Sequence, residues 1–258
     1  MILSIKQYLT KNLSFKELYK LRGKINDLKS IPHRSDLNKL GEIHGTDKII
    51  GHFYTQHYQK HFAPYRNKKI KLLEIGVGGY DDPQLGANSL RMWKNYFHRG
   101  QVYSLDIHDK SLLQEDRVRI FHGSQVDFEF LGNMMQEVGN PDIIIDDGSH
   151  INEHVIETFK FLFPYLKEGG IYVIEDMQTS YWESFGGDSS DLKNPNTMMN
   201  FFKSLTDSLN HKEFLLKGYQ PSYYDKKIIS MHFYHNMLFI YKGENNEESN
   251  ILVNNEKL

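Results

Sequence analysis

The 258-residue sequence contains no cysteine. That excludes disulfides, zinc–thiolate sites and thiol nucleophiles. It also lacks a long apolar run. The opening Met1-Ile-Leu-Ser-Ile-Lys6 turns polar at once, so neither a signal peptide nor a membrane span is expected, and a cytoplasmic location is. An excess of charge of either sign is missing too. The formal net charge is -2 and the pI about 6.7, which argues against nucleic acid or a membrane surface as partner. No internal repeat is visible, and no G-x-G-x-x-G dinucleotide fingerprint. What is abundant is aromatic: 16 Phe and 16 Tyr, enough for a packed core and an aromatic-lined cleft. Lys outnumbers Arg, and Asn, Ile, Tyr and Phe are frequent. Their codons are rich in A and T, which points to an AT-rich bacterial genome.

Two stretches organise the rest, Pro141-Asp-Ile-Ile-Ile-Asp-Asp-Gly-Ser-His150 and Gly169-Gly-Ile-Tyr-Val-Ile-Glu-Asp176. Each is an apolar run ending in carboxylates. Such runs read as strands of a parallel sheet buried on both faces. Between them, Val155, Ile156, Phe159 and Leu162 recur at helical spacing, so residues 152–166 read as the crossover helix. Ligands of open α/β sheets bind beyond the carboxyl ends of the strands. Asp146, Asp147, His150, Glu175 and Asp176 should meet there. Carboxylates brought together repel unless a cation holds them, and Mg2+ or Mn2+ suits an all-oxygen acid cluster. Adjacent residues of a strand point to opposite faces, so Glu175 and Asp176 can share an ion only if the chain bends at that point.

The other elements fit the same plan. Residues 1–65 are expected to form a helical extension or cap, 66–245 the main domain and 246–258 a polar tail that is frayed unless Ile251-Leu-Val253 docks. His52 to Phe62 reads as a helix, with Tyr54 and Tyr58, and His57 and His61, paired four apart. The pairs read as packing or surface stripes and do not define a metal site. Leu72 to Ile75 is a strand, and the pattern at its exit is Glu74-Ile-Gly-Val-Gly-Gly79. Its glycines Gly76 and Gly78 let a ligand approach the backbone, and the pattern suits an adenosylmethionine-type ligand better than a pyrophosphate. Asn88 or Ser89 is expected to N-cap the next helix, whose positive end can receive a carboxylate. Asp106 ends the second strand, where a carboxylate can accept bonds from both ribose hydroxyls. Ser124, Gln125 and Asp127 follow the third strand; they either reach an adenine edge or simply cap a helix. The polar, glycine-bearing stretch 177–191 reads as a lid in which Tyr181 and Trp182 can stack on a sugar or anchor the loop. A helix over 197–209 follows. Residues 227–234 and 237–242 form a hairpin that ends the sheet with an antiparallel strand.

In this order the motifs resemble class I S-adenosylmethionine-dependent methyltransferases, and most nearly the metal-dependent O-methyltransferases of macrolide sugars, the mycinose-type enzymes. The resemblance runs over about residues 41–242. It rests on His44-Gly-Thr-Asp-Lys48, Leu73-Glu-Ile-Gly-Val77, Ser89-Leu-Arg-Met-Trp93, Ile145-Asp-Asp-Gly-Ser-His150 and Glu175-Asp-Met-Gln-Thr-Ser-Tyr-Trp182. It implies a Rossmann-like sheet with helices on both faces. It further implies metal ligation by Asp147, Glu175 and Asp176, and a general base at His150. Thr46, Tyr54 and Tyr58 would cover the cofactor, and Asp146 would face the sheet interior or the methionine amino group. The expected partner is a small-molecule sugar with no nucleic acid or membrane involved, and the enzyme is expected to be a homo-oligomer. An AT-rich genome is unusual for a macrolide producer, so the expected acceptor is a nucleotide-activated hexose or heptose for capsule or lipopolysaccharide. A macrolide or other natural-product glycoside is the alternative.

Overall fold

A computed structural model describes residues 12–257. The chain divides into two compact units at Ser124/Gln125. No helix among the described residues is long and apolar enough to cross a membrane.

The first unit begins with helix α1 (Phe15–Ser30), which starts at a reciprocal cap: Ser14 Oγ accepts from Glu17 N, and Glu17 accepts from Ser14 N. Helix α2 (Leu37–His44) starts at Asp36 and stops at Gly45, whose φ of 72° closes the last turn. Helix α3 (Thr55–Phe62) is shorter than its apolar pattern suggested. Phe53, at φ 57°, breaks the backbone ahead of it. Strand β1 (Lys71–Ile75), helix α4 (Asn88–Tyr96), β2 (Gln101–Asp106) and β3 (Val118–His122) complete the unit. The three strands run parallel, with Leu72 opposite Val102 and Val102 opposite Val118. Tyr58, Phe62, Trp93 and Phe97 pack edge-on or tilted against one another with ring centroids 4.8–6.4 Å apart, the geometry aromatic quadrupoles prefer.

The second unit contains helix α5 (Phe128–Val138), β4 (Ile143–Asp146), α6 (Asn152–Leu162), β5 (Ile171–Ile174), α7 (Met198–Ser204), α8 (Tyr223–Lys227), β6 (Ile228–Tyr234) and β7 (Met237–Lys242). Ile143 to Ile145 and Ile171 to Ile174 are fully buried, as their unbroken apolar runs require. The crossover helix ends at Leu162, four residues early, because the next turn tightens to a 3-10 helix carrying Pro164. Helix α7 likewise stops at Ser204, short of the expected Leu209, and a 3-10 segment, Asp207–Glu213, follows. The hairpin turns at His235-Asn236, with Asn236 at φ 60°. Strand β7 pairs antiparallel with both β5 and β6, so the antiparallel strand is the inner one and β6 lies at the edge. The buried Lys242 ammonium donates to the carbonyls of Phe163, Pro164 and Leu166, satisfying the end of the crossover. The tail is not frayed. Leu252–Val253 (β8) and Glu256–Lys257 (β9) form a small hairpin, tied down by Asn255 Nδ2 donating to the carbonyls of His211 and Phe214.

Candidate active site and metal centre

In the first unit the glycine loop after β1 is shaped from within. Gly76, Gly78 and Gly79 all have positive φ. A Cβ at Gly79 would lie 2.3 Å from the Leu85 carbonyl carbon, so only glycine lets the 81–88 insertion fold back here. Lys110 Nζ holds that insertion by donating to the carbonyls of Asp82 and Leu85. Asp106 accepts from the backbone N–H of Val77 at 2.9 Å and of His108 at 2.8 Å. It sits at the expected strand end, partly exposed, and ties the glycine loop to β2.

Glu74 is wholly buried. Its Oε2 accepts from Trp93 Nε1 at 2.9 Å and Ser89 Oγ at 3.1 Å, and Lys48 Nζ lies 3.3 Å from Oε1. Ser89 is therefore not a helix cap, and neither is Asn88. The N-cap position is Ala87 in the left-handed region, while Asn88 Nδ2 reaches the Gly45 carbonyl. Thr46, Tyr54 and Tyr58 are buried, and Tyr58 stands edge-on to Trp93 at 4.8 Å. Ser124, half-buried, is the last residue of this unit.

No local pattern announces one feature of this unit, a largely buried ionic network. Asp27 accepts from Lys94 Nζ and Asn95 Nδ2, and Glu115 from Lys94 Nζ and Arg91 Nη2, at 2.6–3.1 Å. The Arg91 guanidinium lies 3.6 Å from the Tyr19 ring centroid. Beside it His44 Nε2 is 3.1 Å from Ser30 Oγ and 3.2 Å from Asn95 Nδ2. Burial, more than the opposing pull of Asp27, lowers the His44 imidazole to about 4.

The second unit brings the carboxylates together. Asp146 faces Ile174 across β4 and β5, and Glu175 N donates to the Asp146 carbonyl. The next residues, Asp147 and Glu175, therefore leave the two strands at the same level, with carboxylate oxygens within 4.8 Å. Strand β5 has ended at Ile174, and Asp176 takes φ 55°, ψ 39°. The bend carries Asp176 toward Asp147 and His150. His150 is also left-handed, at φ 56°. Its Nε2 lies 3.7 Å from Asp176 Oδ2 and 4.0 Å from Asp147 Oδ1. Asp147, His150 and Asp176 form one group whose ligand atoms are all within 4.8 Å. Two carboxylates that close, partly buried, repel by about 3 kcal/mol. A hard divalent cation would reverse that term, and Asp147 and Asp176 with the His150 imidazole, or Asp147 with Glu175, are donors it accepts. The histidines of α3 belong to no such group among the described residues.

Asp146 is 1 % exposed. Burial pushes its carboxyl up to about 7, against the pull of the Gly148 N–H and the Gln125 amide. Gln125 Nε2 donates to Asp146 and to Thr158 Oγ1, and its Oε1 accepts from Ser149 N. Gln125 is thus engaged within its own unit. Asp127 takes the capping alternative, accepting from Phe130 N at the start of α5. Tyr181 and Trp182 are 38 % and 49 % exposed on the segment after Asp176. That segment is folded tightly: a Cβ at Gly187 would lie 2.3 Å from the Thr179 carbonyl oxygen.

No family model matches the chain. It is 48% identical over 216 residues to demethylmacrocin O-methyltransferase of Streptomyces fradiae, covering 83% of this chain and 55% of that protein. It is 46% identical over 209 residues to 8-demethyl-8-alpha-L-rhamnosyl tetracenomycin-C 2'-O-methyltransferase of Streptomyces olivaceus, covering 81% and 55%. Among solved structures, the MycE methyltransferase in complex with Mg, SAH and mycinamycin VI matches with a TM-score of 0.79 at 47% identity, covering 83% of this chain and 55% of that one. The chain spans about half the length of the relatives it matches. Over the matched length, sequence and fold together make the chain a class I methyltransferase-fold protein similar to these O-methyltransferases.

Proposed function

We propose that the protein transfers a methyl group from S-adenosylmethionine to a sugar hydroxyl of a natural-product glycoside, with Mg2+ or Mn2+ bound. The observation that carries this reading is the meeting of Asp147, His150 and Asp176 just beyond two adjacent strands, with Glu175 also within ligand distance of Asp147. Adenosylmethionine supplies an electrophilic methyl, and a divalent ion supplies the Lewis acidity that makes an alcohol proton easier to remove. Asp147, Glu175 and Asp176 would hold the ion. His150 Nε2 accepts the hydroxyl proton as the oxygen–methyl bond forms and the methyl–sulfur bond breaks, leaving S-adenosylhomocysteine. Gly76, Gly78, Asp106, Ser89 and Glu74 are assigned to the donor, Glu74 through the Ser89 and Trp93 contacts that orient the start of α4. Tyr181 and Trp182 are assigned to the acceptor, since exposed aromatic faces stack on sugar rings.

Composition and the chemistry of the resembled family together favour a nucleotide sugar for a surface glycan. The relatives' names refer to demethylmacrocin and a rhamnosyl tetracenomycin, and they move the reading to a glycoside whose sugar is already attached. The test is an acceptor screen with labelled adenosylmethionine: a rhamnosylated polyketide and a macrolide glycoside against nucleotide-activated hexoses and heptoses, with Mg2+ or EDTA. Label on a glycoside, lost in EDTA and recovered with Mg2+, is expected. Label on nucleotide sugars alone would replace the acceptor, and an undiminished rate in EDTA would remove the metal.

A further inference from the structure

Two residues proposed for the chemistry, His150 and Asp176, sit on left-handed backbone although neither is glycine. Such a conformation persists when surrounding contacts over-determine it. One buried side chain touches both. Thr179 Oγ1 lies 2.9 Å from the His150 carbonyl and 3.1 Å from the Asp176 carbonyl, so its single proton is offered to the two strained residues at once. Thr179 is 2 % exposed. It is held in turn by Asn152, 1 % exposed, whose Nδ2 donates to the Thr179 and Phe185 carbonyls and whose Oδ1 accepts from Met198 N. Asn152 is the first residue of α6, directly after the His150 turn. The pair therefore joins the base-bearing turn, the acid-bearing turn and the start of α7.

We propose that Thr179, held by Asn152, is a positioning residue that fixes His150 against Asp176 and so sets the geometry of the metal centre. The role rests on the reading given above. It is carried by a hydroxyl, not by bulk, because the two contacts are hydrogen bonds to backbone. Thr179→Val keeps the shape and removes the proton; Thr179→Ser keeps the proton and removes a methyl group.

Three measurements on the full chain test this. Amide exchange of the 149–152 and 176–180 segments, in metal-free protein, should speed up about fivefold in Thr179→Val, the effect of losing one buried hydrogen bond. It should stay near wild type in Thr179→Ser. Mn2+ affinity, from the resonance of free Mn2+, should fall about tenfold in Thr179→Val, as for other groups that orient metal ligands, and recover in Thr179→Ser. With an accepted acceptor, kcat should fall more than the acceptor KM rises. Unchanged exchange and unchanged Mn2+ affinity in a folded Thr179→Val protein would overturn the proposal, as would equal loss in Thr179→Ser. A wild-type protein that binds no Mn2+ refutes the metal reading itself. The exchange comparison needs no metal and still decides whether Thr179 ties the two turns.

Discussion

The two units use carboxylates in opposite ways. In the first, Glu74 is buried among donors that belong to the protein: an indole N–H, a hydroxyl and an ammonium. Asp27 and Glu115 are likewise answered by Lys94, Asn95 and Arg91. In the second, Asp147 faces Asp176 and the His150 imidazole on one side and Glu175 on another. An acid surrounded by its own donors is part of the fold, and acids gathered against each other form a site that a cation completes. Substitutions in the first unit should therefore register mainly in stability, and those in the second mainly in turnover and metal affinity.

The sharpest test of the second half of that contrast is His150→Ala. Loss of a general base should lower kcat by about 10²–10⁴-fold, with the melting temperature and adenosylmethionine binding by calorimetry unchanged. A variant as fast as wild type would end the base assignment. The matching test in the first unit is Glu74→Gln, which leaves the buried Lys48 ammonium facing a neutral amide. Breaking a buried pair in this way costs about 3–5 kcal/mol, read as a lower urea midpoint. If Glu74→Gln is as stable as wild type but no longer binds the donor, the division between the units fails at that residue.

The pH dependence of stability should report the first unit as well. His44 is held near 4 when folded and returns to about 6.5 when unfolded. Its folded pKa is the lower one, so the unfolded chain binds the extra proton. Stability is full above about 6.5 and declines as pH falls toward 4, by roughly 3 kcal/mol if no other group intervenes. His44→Asn should flatten that part of the urea-midpoint curve, and an unaltered slope would place its origin elsewhere. The smallest effect is expected at Trp182→Ala: a few-fold rise in acceptor KM with kcat nearly constant, about 1 kcal/mol of uniform binding.

The parts of this molecule legible in the sequence were those governed by local pattern. Apolar runs ending in acids marked β4 and β5, the alternation after Lys227 marked the hairpin, and the glycine cluster after Ile75 marked a loop that must fold back on itself. What escaped the sequence depends on partners distant along the chain. Ser89 has the chemistry of a cap, but its hydroxyl goes to Glu74, 15 residues earlier. Asn152 and Thr179 look like ordinary polar residues until 27 residues of intervening chain bring them together. The ion network of Asp27, Lys94 and Glu115 is spread over α1, α4 and the segment before β3, and no window of sequence contains it. The bend at Asp176 was a stated requirement of the site, but only the folded chain shows it to be a left-handed residue.

That bend also limits how the centre can be altered by substitution. Residues 150 and 176 both lie at positive φ, a region that Asn, Asp and His enter more readily than most side chains and that β-branched residues resist. Anyone retuning ion preference or basicity at these positions is thus confined to a short chemical alphabet. Valine, isoleucine and threonine are barred by backbone sterics before their ligand chemistry is considered, whereas exchanges among aspartate, asparagine and histidine leave the chain path intact.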